Sequence, residues 1–132
     1  MPSGTRIACV DDHVSVAKAV AAFLRSHGFN AEAFISAEAF LQSFNESEGW
    51  RLLITDVQLP GMSGLVLQNK TADTGLDLPI IFVTAFPDDT IRSRAMDAGA
   101  VCFLTKPVTD DDLLACIDSA YRRNSDNKVG SR

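Results

Sequence analysis

Ile80-Ile81-Phe82-Val83-Thr84 is an apolar run without a break, closed by a hydroxyl residue. A strand with one face in water alternates apolar and polar residues, whereas an unbroken run suits a parallel strand covered on both faces. Ile7-Ala8-Cys9-Val10, Leu52-Leu53-Ile54-Thr55 and Val101-Cys102-Phe103-Leu104 have the same character, and a weaker run spans Ala31 to Ile35. Helical patterns fill the gaps. Val16, Val20, Phe23, Leu24 and His27 share one helical face, with Gly28 at the expected C′ position. Ser36 is placed to cap a helix from Ala37 to Phe44, with Glu38 in its first turn. Gly64 to Lys70 forms a short helix, and Asp88 to Ala98 a polar one closed by Gly99. Thr109-Asp110-Asp111-Asp112 reads as a capping box before a stripe of Leu113, Leu114, Ile117, Ala120 and Tyr121. Strand then helix, five times over, predicts an α/β doubly wound parallel sheet of five strands with five helices.

The 132 residues fit one domain. The apolar fraction of 46% and charged fraction of 22% are ordinary for a globular chain and exclude a disordered, collagen-like or coiled-coil one. No apolar run reaches the ~18–20 residues of a membrane span, and Met1 to Arg6 carries no signal-like stretch. A cytoplasmic chain with no membrane association is the expectation. With a net charge of −5, direct nucleic-acid binding is not expected, because neutralising phosphates needs a basic surface. Cys9, Cys102 and Cys116 lie in apolar stretches without C-x-x-C spacing and read as reduced core thiols. Residues 1–123 are the expected domain. Residues 124–132 read as a polar tail, a truncated linker or a cloning remnant.

Parallel strands end at one sheet edge, where ligands bind at the reversal of strand order. Asp11-Asp12 follow the first run, Asp56 the third, Thr84 ends the fourth, and Lys106-Pro107 follow the fifth. With a strand order of 2-1-3-4-5 the reversal falls between strands one and three, bringing Asp11, Asp12 and Asp56 into one crevice. At roughly 5 Å and an effective dielectric near 20, each carboxylate pair repels by about 3 kcal/mol, so the cluster calls for a cation or a proton. All-oxygen ligands favour a hard ion, Mg²⁺ above all. A carboxylate, a hydroxyl and an ammonium around such an ion suit phosphoryl transfer to the carboxylate. Taken singly, Asp11 or Asp12 is an N-cap, Asp56 a turn residue, Thr84 a β-former, and Lys106 and His13 solvated loop residues. The convergence of five groups on one edge outweighs these readings.

The chain closely resembles the receiver domain of two-component response regulators, from about Arg6 to Tyr121. The motifs are Val10-Asp11-Asp12, Leu53 to Gly64 around Asp56, Pro79 to Ala85, and Gly99 to Pro107. They are most similar to receivers of the FixJ type, which usually precede a DNA-binding helix-turn-helix domain. The resemblance implies the flavodoxin-like fold and the 2-1-3-4-5 order. It implies Asp56 as phosphoacceptor, and Mg²⁺, with Mn²⁺ as a substitute, held by Asp11, Asp12, Asp56 and the backbone carbonyl of Gln58. It implies Thr84 and Lys106 as phosphoryl-binding groups, Thr84 and Phe103 as the switch pair, and a cis peptide at Lys106-Pro107. A histidine kinase or its phosphotransfer domain would be the donor. The receiver would catalyse its own phosphorylation and dephosphorylation without being a metabolic enzyme. The face built by the fourth helix, fifth strand and fifth helix would dimerise or grip an output partner, a transcriptional one in the expectation drawn from the family. Gln58 and Phe86 occupy positions that tune dephosphorylation in that family.

Two enzyme-like rivals fit less well. A flavodoxin-like electron carrier needs a Ser/Thr/Gly phosphate loop where Asp11-Asp12 stand. A haloacid-dehalogenase-type phosphohydrolase needs an acid where Gln58 stands. A receiver fold used only as a phosphorylation-independent module remains the third alternative.

Overall fold

The computed structural model of the chain describes residues 5–130, and the backbone alone over 124–130. Expectations attached to residues 1–4 and 131–132 lie outside the described residues. The elements are β1 (Arg6–Val10), α1 (Val14–Ser26), β2 (Asn30–Phe34), α2 (Ala37–Glu46), β3 (Trp50–Asp56), α3 (Gly64–Ala72), β4 (Ile80–Thr84), α4 (Asp89–Asp97), β5 (Cys102–Thr105) and α5 (Asp110–Gly130). All neighbouring strands are parallel, in the order β2-β1-β3-β4-β5. The polar segment after 123 continues the α5 backbone through Gly130.

The unbroken runs divide by strand pleat between two cores. Ala8, Val10, Leu53, Ile80, Phe82 and Phe103 face α2, α3 and α4, where they meet Phe40, Phe44, Leu67 and Ala95. Ile7, Cys9, Leu52, Ile54 and Ile81 face α1 and α5, where they meet Ala21, Leu24, Leu113 and Ile117. The middles of β1, β3 and β4 therefore need apolar residues at successive positions, which is why alternation is missing from those runs.

Helix starts follow the expected chemistry in four places. The side chains of Ser36, Ser63 and Asp88 accept bonds from the amides of Ala39, Val66 and Ile91, and Thr109 Oγ1 accepts from Asp112. On α1 the buried stripe differs from the expected one. Ala17, Ala21 and Leu24 face the sheet, while Val16 and His27 are exposed. Two alanines let the helix lie close to β1, which turns the larger Val16 outward.

The cysteine expectation holds for Cys9, which is free and buried, with burial pushing its thiol up to about 12 against a weaker opposing pull from Arg25. It fails for Cys102 and Cys116, which are joined by a disulfide. Packing of α5 on β5 brings their Cα atoms to 6.2 Å, within bridging range. That proximity is tertiary, and the 14-residue separation carries no sign of it.

Trp50, the one tryptophan, opens β3 under the Arg6 guanidinium, which lies 3.8 Å from its ring centre. Phe40 is fully buried against it, with ring centres 5.1 Å apart, and also meets Phe34 and Phe44. Among the described residues no helix is long and apolar enough to cross a membrane.

Phe40→Ala removes the centre of this aromatic group and should cost about 3–5 kcal/mol, since the backbone of α2 cannot collapse into the space. Urea unfolding should show a lower midpoint with an unchanged slope.

Candidate functional site

Four strand ends supply the site. Asp11 follows β1, Asp56 closes β3, Thr84 closes β4, and Lys106 follows β5. Asp11, Asp56 and Thr84 are buried, and the Lys106 side chain is a quarter exposed. Lys106 Nζ donates to Asp11 Oδ2 at 2.7 Å and to Asp56 Oδ2 at 3.0 Å, so one ammonium bridges the first and third strands. The remaining carboxylate oxygens are engaged locally. Asp56 Oδ1 accepts from the Gln58 amide at 3.0 Å, and Asp11 Oδ1 accepts from the His13 amide at 2.9 Å. Thr84 Oγ1 accepts from the Phe86 amide at 3.1 Å, which leaves its own proton free to donate elsewhere. The Lys106–Pro107 peptide is cis.

The loop after β3 is held tightly. The Gly64 amide donates to the Val57 carbonyl at 2.8 Å. A Cβ on Gly64 would collide with the Asp56 carbonyl oxygen and press on the Phe82 ring, so only glycine lets the start of α3 approach β3 this closely. Gly61 turns the chain at a φ of +78°, and Glu38 Oε2 accepts from the Met62 amide at 3.1 Å. Glu38 reads from sequence as a helix-dipole residue. Its contact with Met62 spans 24 residues and has no local signal.

Phe103 is buried on the helix side of β5 shared with Phe82, their ring centres 6.2 Å apart. Arg92 of α4 donates to the Phe103 carbonyl at 3.3 Å and lies 6.0 Å from the ring centre.

His13 is exposed, as its reading as a solvated residue expects, and its side chain also leans toward two carboxylates. It is the N-cap of α1, so neither Asp11 nor Asp12 serves that purpose, and its side chain makes no capping bond. Its Nδ1 lies 3.2 Å from Asp11 Oδ1 and 3.5 Å from Asp12 Oδ1. One ligand atom from each of Asp11, Asp12 and His13 falls within a mutual 4.8 Å.

Burial by itself would raise the Asp11 carboxyl. The Lys106 hydrogen bond, the His13 amide and the ammonium charge outweigh it and hold the carboxyl below its ordinary 3.8. Burial likewise opposes the Lys106 charge, and the bonds from Asp11 and Asp56 overcome it, raising that amine above 10.5. Among the described residues the mutual 4.8 Å groups Asp11 and Asp12 with His13 and does not include Asp56. The two carboxylates are hard oxygen donors of the kind a Mg²⁺-class ion takes. The arrangement offers two buried carboxylates sharing one ammonium, with a hydroxyl at the end of the neighbouring strand β4.

A family model described as response regulator receiver domain matches residues 7–118. The response regulator protein TmoT of Ectopseudomonas mendocina is 40% identical over 113 residues, covering 86% of this chain and 51% of that protein. The transcriptional regulatory protein FixJ of Rhizobium meliloti is 37% identical over 111 residues, covering 84% of this chain and 54% of that protein. The chain thus spans about half the length of the curated relatives it matches. The crystal structure of FixJ-N superposes with a TM-score of 0.80 at 34% identity, covering 91% of this chain and 94% of that one.

The Asp11–Lys106 pair ties stability to pH. The lowered Asp11 value makes its contribution complete above about pH 3.8, and lost as pH falls through the folded value. The raised Lys106 value makes its contribution complete below about pH 10.5, and lost as pH rises through the folded value. Lys106→Met leaves buried carboxylates without their cation and should cost about 2–4 kcal/mol at pH 7. Urea midpoints at pH 7 and 4.5 should stay level for the parent chain and rise on acidification for the variant.

Proposed function

This chain belongs to the response regulator receiver family, among the FixJ-type members, and from that premise we propose that Asp56 takes a phosphoryl group from a phosphohistidine on a histidine kinase or phosphotransfer domain. The observation that carries the reading is the Lys106 ammonium, shared by Asp11 and Asp56 at the sheet edge.

An Asp56 carboxylate oxygen attacks phosphorus, the P–N bond breaks, and the donor imidazole leaves with the bond's electron pair and takes up a proton. The product is an acyl phosphate on Asp56. Lys106 transfers its Nζ–H bond from an Asp56 oxygen to a phosphoryl oxygen. The Thr84 hydroxyl, whose lone pair already holds the Phe86 amide, donates its proton to another. Mg²⁺, or Mn²⁺ in its place, would be held by Asp11, Asp12, Asp56 and the Gln58 carbonyl, and would neutralise charge on the transferring group. Movement of Thr84 toward the phosphoryl group vacates space for Phe103, whose rotation shifts an existing equilibrium at the α4-β5-α5 face. That face then pairs with a second copy or an output partner. Hydrolysis resets the switch, with Gln58 and Phe86 flanking the route of the water. The receiver thus catalyses its own phosphotransfer and dephosphorylation in the cytoplasm. Direct binding to DNA is not part of this reading, because a domain with a net charge of −5 is poorly suited to neutralise phosphates.

Incubation with Mg²⁺ and acetyl phosphate should add one phosphoryl group by intact mass, and none in Asp56→Asn. An unmodified parent chain with this donor and with histidine kinases would favour the phosphorylation-independent module instead. Mg²⁺ at tenfold its Kd should stabilise the fold by about 1.4 kcal/mol, read as a rise in Tm. A Tm that follows ionic strength alone would count against a specific cation site.

A further inference from the structure

Cys102 and Cys116 are not used by the proposed phosphoryl chemistry, yet the bond between them is placed to influence it. Cys102 is the first residue of β5 and half-buried, whereas Cys116 is buried in α5. β5 is four residues long and lies at the edge of the sheet, paired on one side by β4. Its two faces have different duties. Cys102 packs in the core shared with α1 and α5, and Phe103 in the core shared with α2, α3 and α4. The ring closed by the bond contains Phe103, Lys106 and Pro107, and Thr109, which caps α5. One covalent link therefore encloses the residue that supplies the site's ammonium.

We propose that Cys102 and Cys116 are a reversible thiol–disulfide site, closed by glutathione disulfide and opened by glutathione, which clamps α5 to β5 when closed. In closure, the Cys102 thiolate attacks one sulfur of glutathione disulfide and expels one glutathione thiolate. The Cys116 thiolate then attacks the Cys102 sulfur and expels the second. Both cysteine protons go to solvent, two electrons pass to the glutathione disulfide, and two glutathione thiols result. Opening reverses the order, beginning at Cys102, the half-buried partner of the buried Cys116, and releasing the Cys116 thiolate first. The open form keeps its fold because Leu113, Ile117 and Ala120 still bury α5 against the sheet. Cys9 stays outside the exchange, since burial holds it as a neutral thiol.

The effect on the α4-β5-α5 face rests on the receiver reading, so the test uses readouts that need no phosphodonor. The full chain is equilibrated across ratios of reduced to oxidised glutathione, quenched in acid, unfolded, alkylated with N-ethylmaleimide and weighed. The closed form should carry one adduct, on Cys9, and the open form three. The population should pass between them as reduced glutathione rises, and Cys9→Ser should lower both counts by one. Hydrogen exchange of α5 and β5 amides should be about tenfold faster or more in the open form. Cys116→Ser and Cys102→Ser should each exchange like the open form in reduced glutathione and carry two adducts there. In oxidised glutathione Cys116→Ser should retain one glutathione on Cys102 and form no closed species. Three outcomes overturn the proposal: no closed form even in oxidised glutathione, a closed form that excess reduced glutathione leaves intact, or equal exchange in both forms. Failure of acetyl phosphate to label either form would count against the receiver reading and leave the thiol result standing.

Discussion

A single ammonium group is shared by two buried carboxylates. Asp11 and Asp56 are buried and reach the same Nζ of Lys106 from strands 95 and 50 residues away in sequence. Two carboxylates at about 5 Å repel by roughly 3 kcal/mol at an effective dielectric near 20, so the edge holds its shape only with a cation between them. Lys106 supplies that cation from within the chain. An incoming metal ion or phosphoryl group must therefore compete with, or redirect, a bond the fold already makes. The sheet edge is stable before it is loaded, and loading exchanges one set of charge-assisted bonds for another.

The rest of the fold keeps the strand ends in register for that contact. Two-sided burial makes the middles of the central strands apolar, with polar residues such as Thr55, Asp56 and Thr84 gathered at their C-terminal ends, so these strands are fixed between two cores. The close approach at Gly64 binds the loop after Asp56 to the start of α3, and Glu38 holds the same loop from α2. Asp56 is thus positioned by two elements besides its own strand, as the proposed in-line attack on phosphorus would require.

Most of the architecture is legible in the residues because the signal is dense. Four unbroken apolar runs and the capping residues Ser36, Asp88 and Thr109 mark strands and helix starts by local chemistry. The positions of Asp11, Asp56, Thr84 and Lys106 at strand ends follow from the same reading. What escapes depends on distance across the fold. The α1 stripe is shifted because two alanines, weak hydrophobic markers, set the packing distance. His13 is exposed, as read, and only its approach to Asp11 and Asp12 lacks a local signal. Glu38 is spent on a loop 24 residues away. The Cys102–Cys116 bond needs the docking of α5 on β5, which spacing alone does not encode. β2 is weak in sequence because an edge strand is only partly covered, and four of its five residues are half-buried or exposed.

Trp50 and Asp56 are the two ends of one seven-residue strand. At ~3.3 Å per residue they stand about 20 Å apart. The one indole of the chain is therefore anchored under Arg6 at the far end of the sheet from the carboxylates. Its emission reports whether the molecule is folded and is spectroscopically silent toward events at the phosphoryl edge. Fluorescence titrations of that edge call for a reporter placed near it, while the native indole gives an unfolding signal uncontaminated by occupancy.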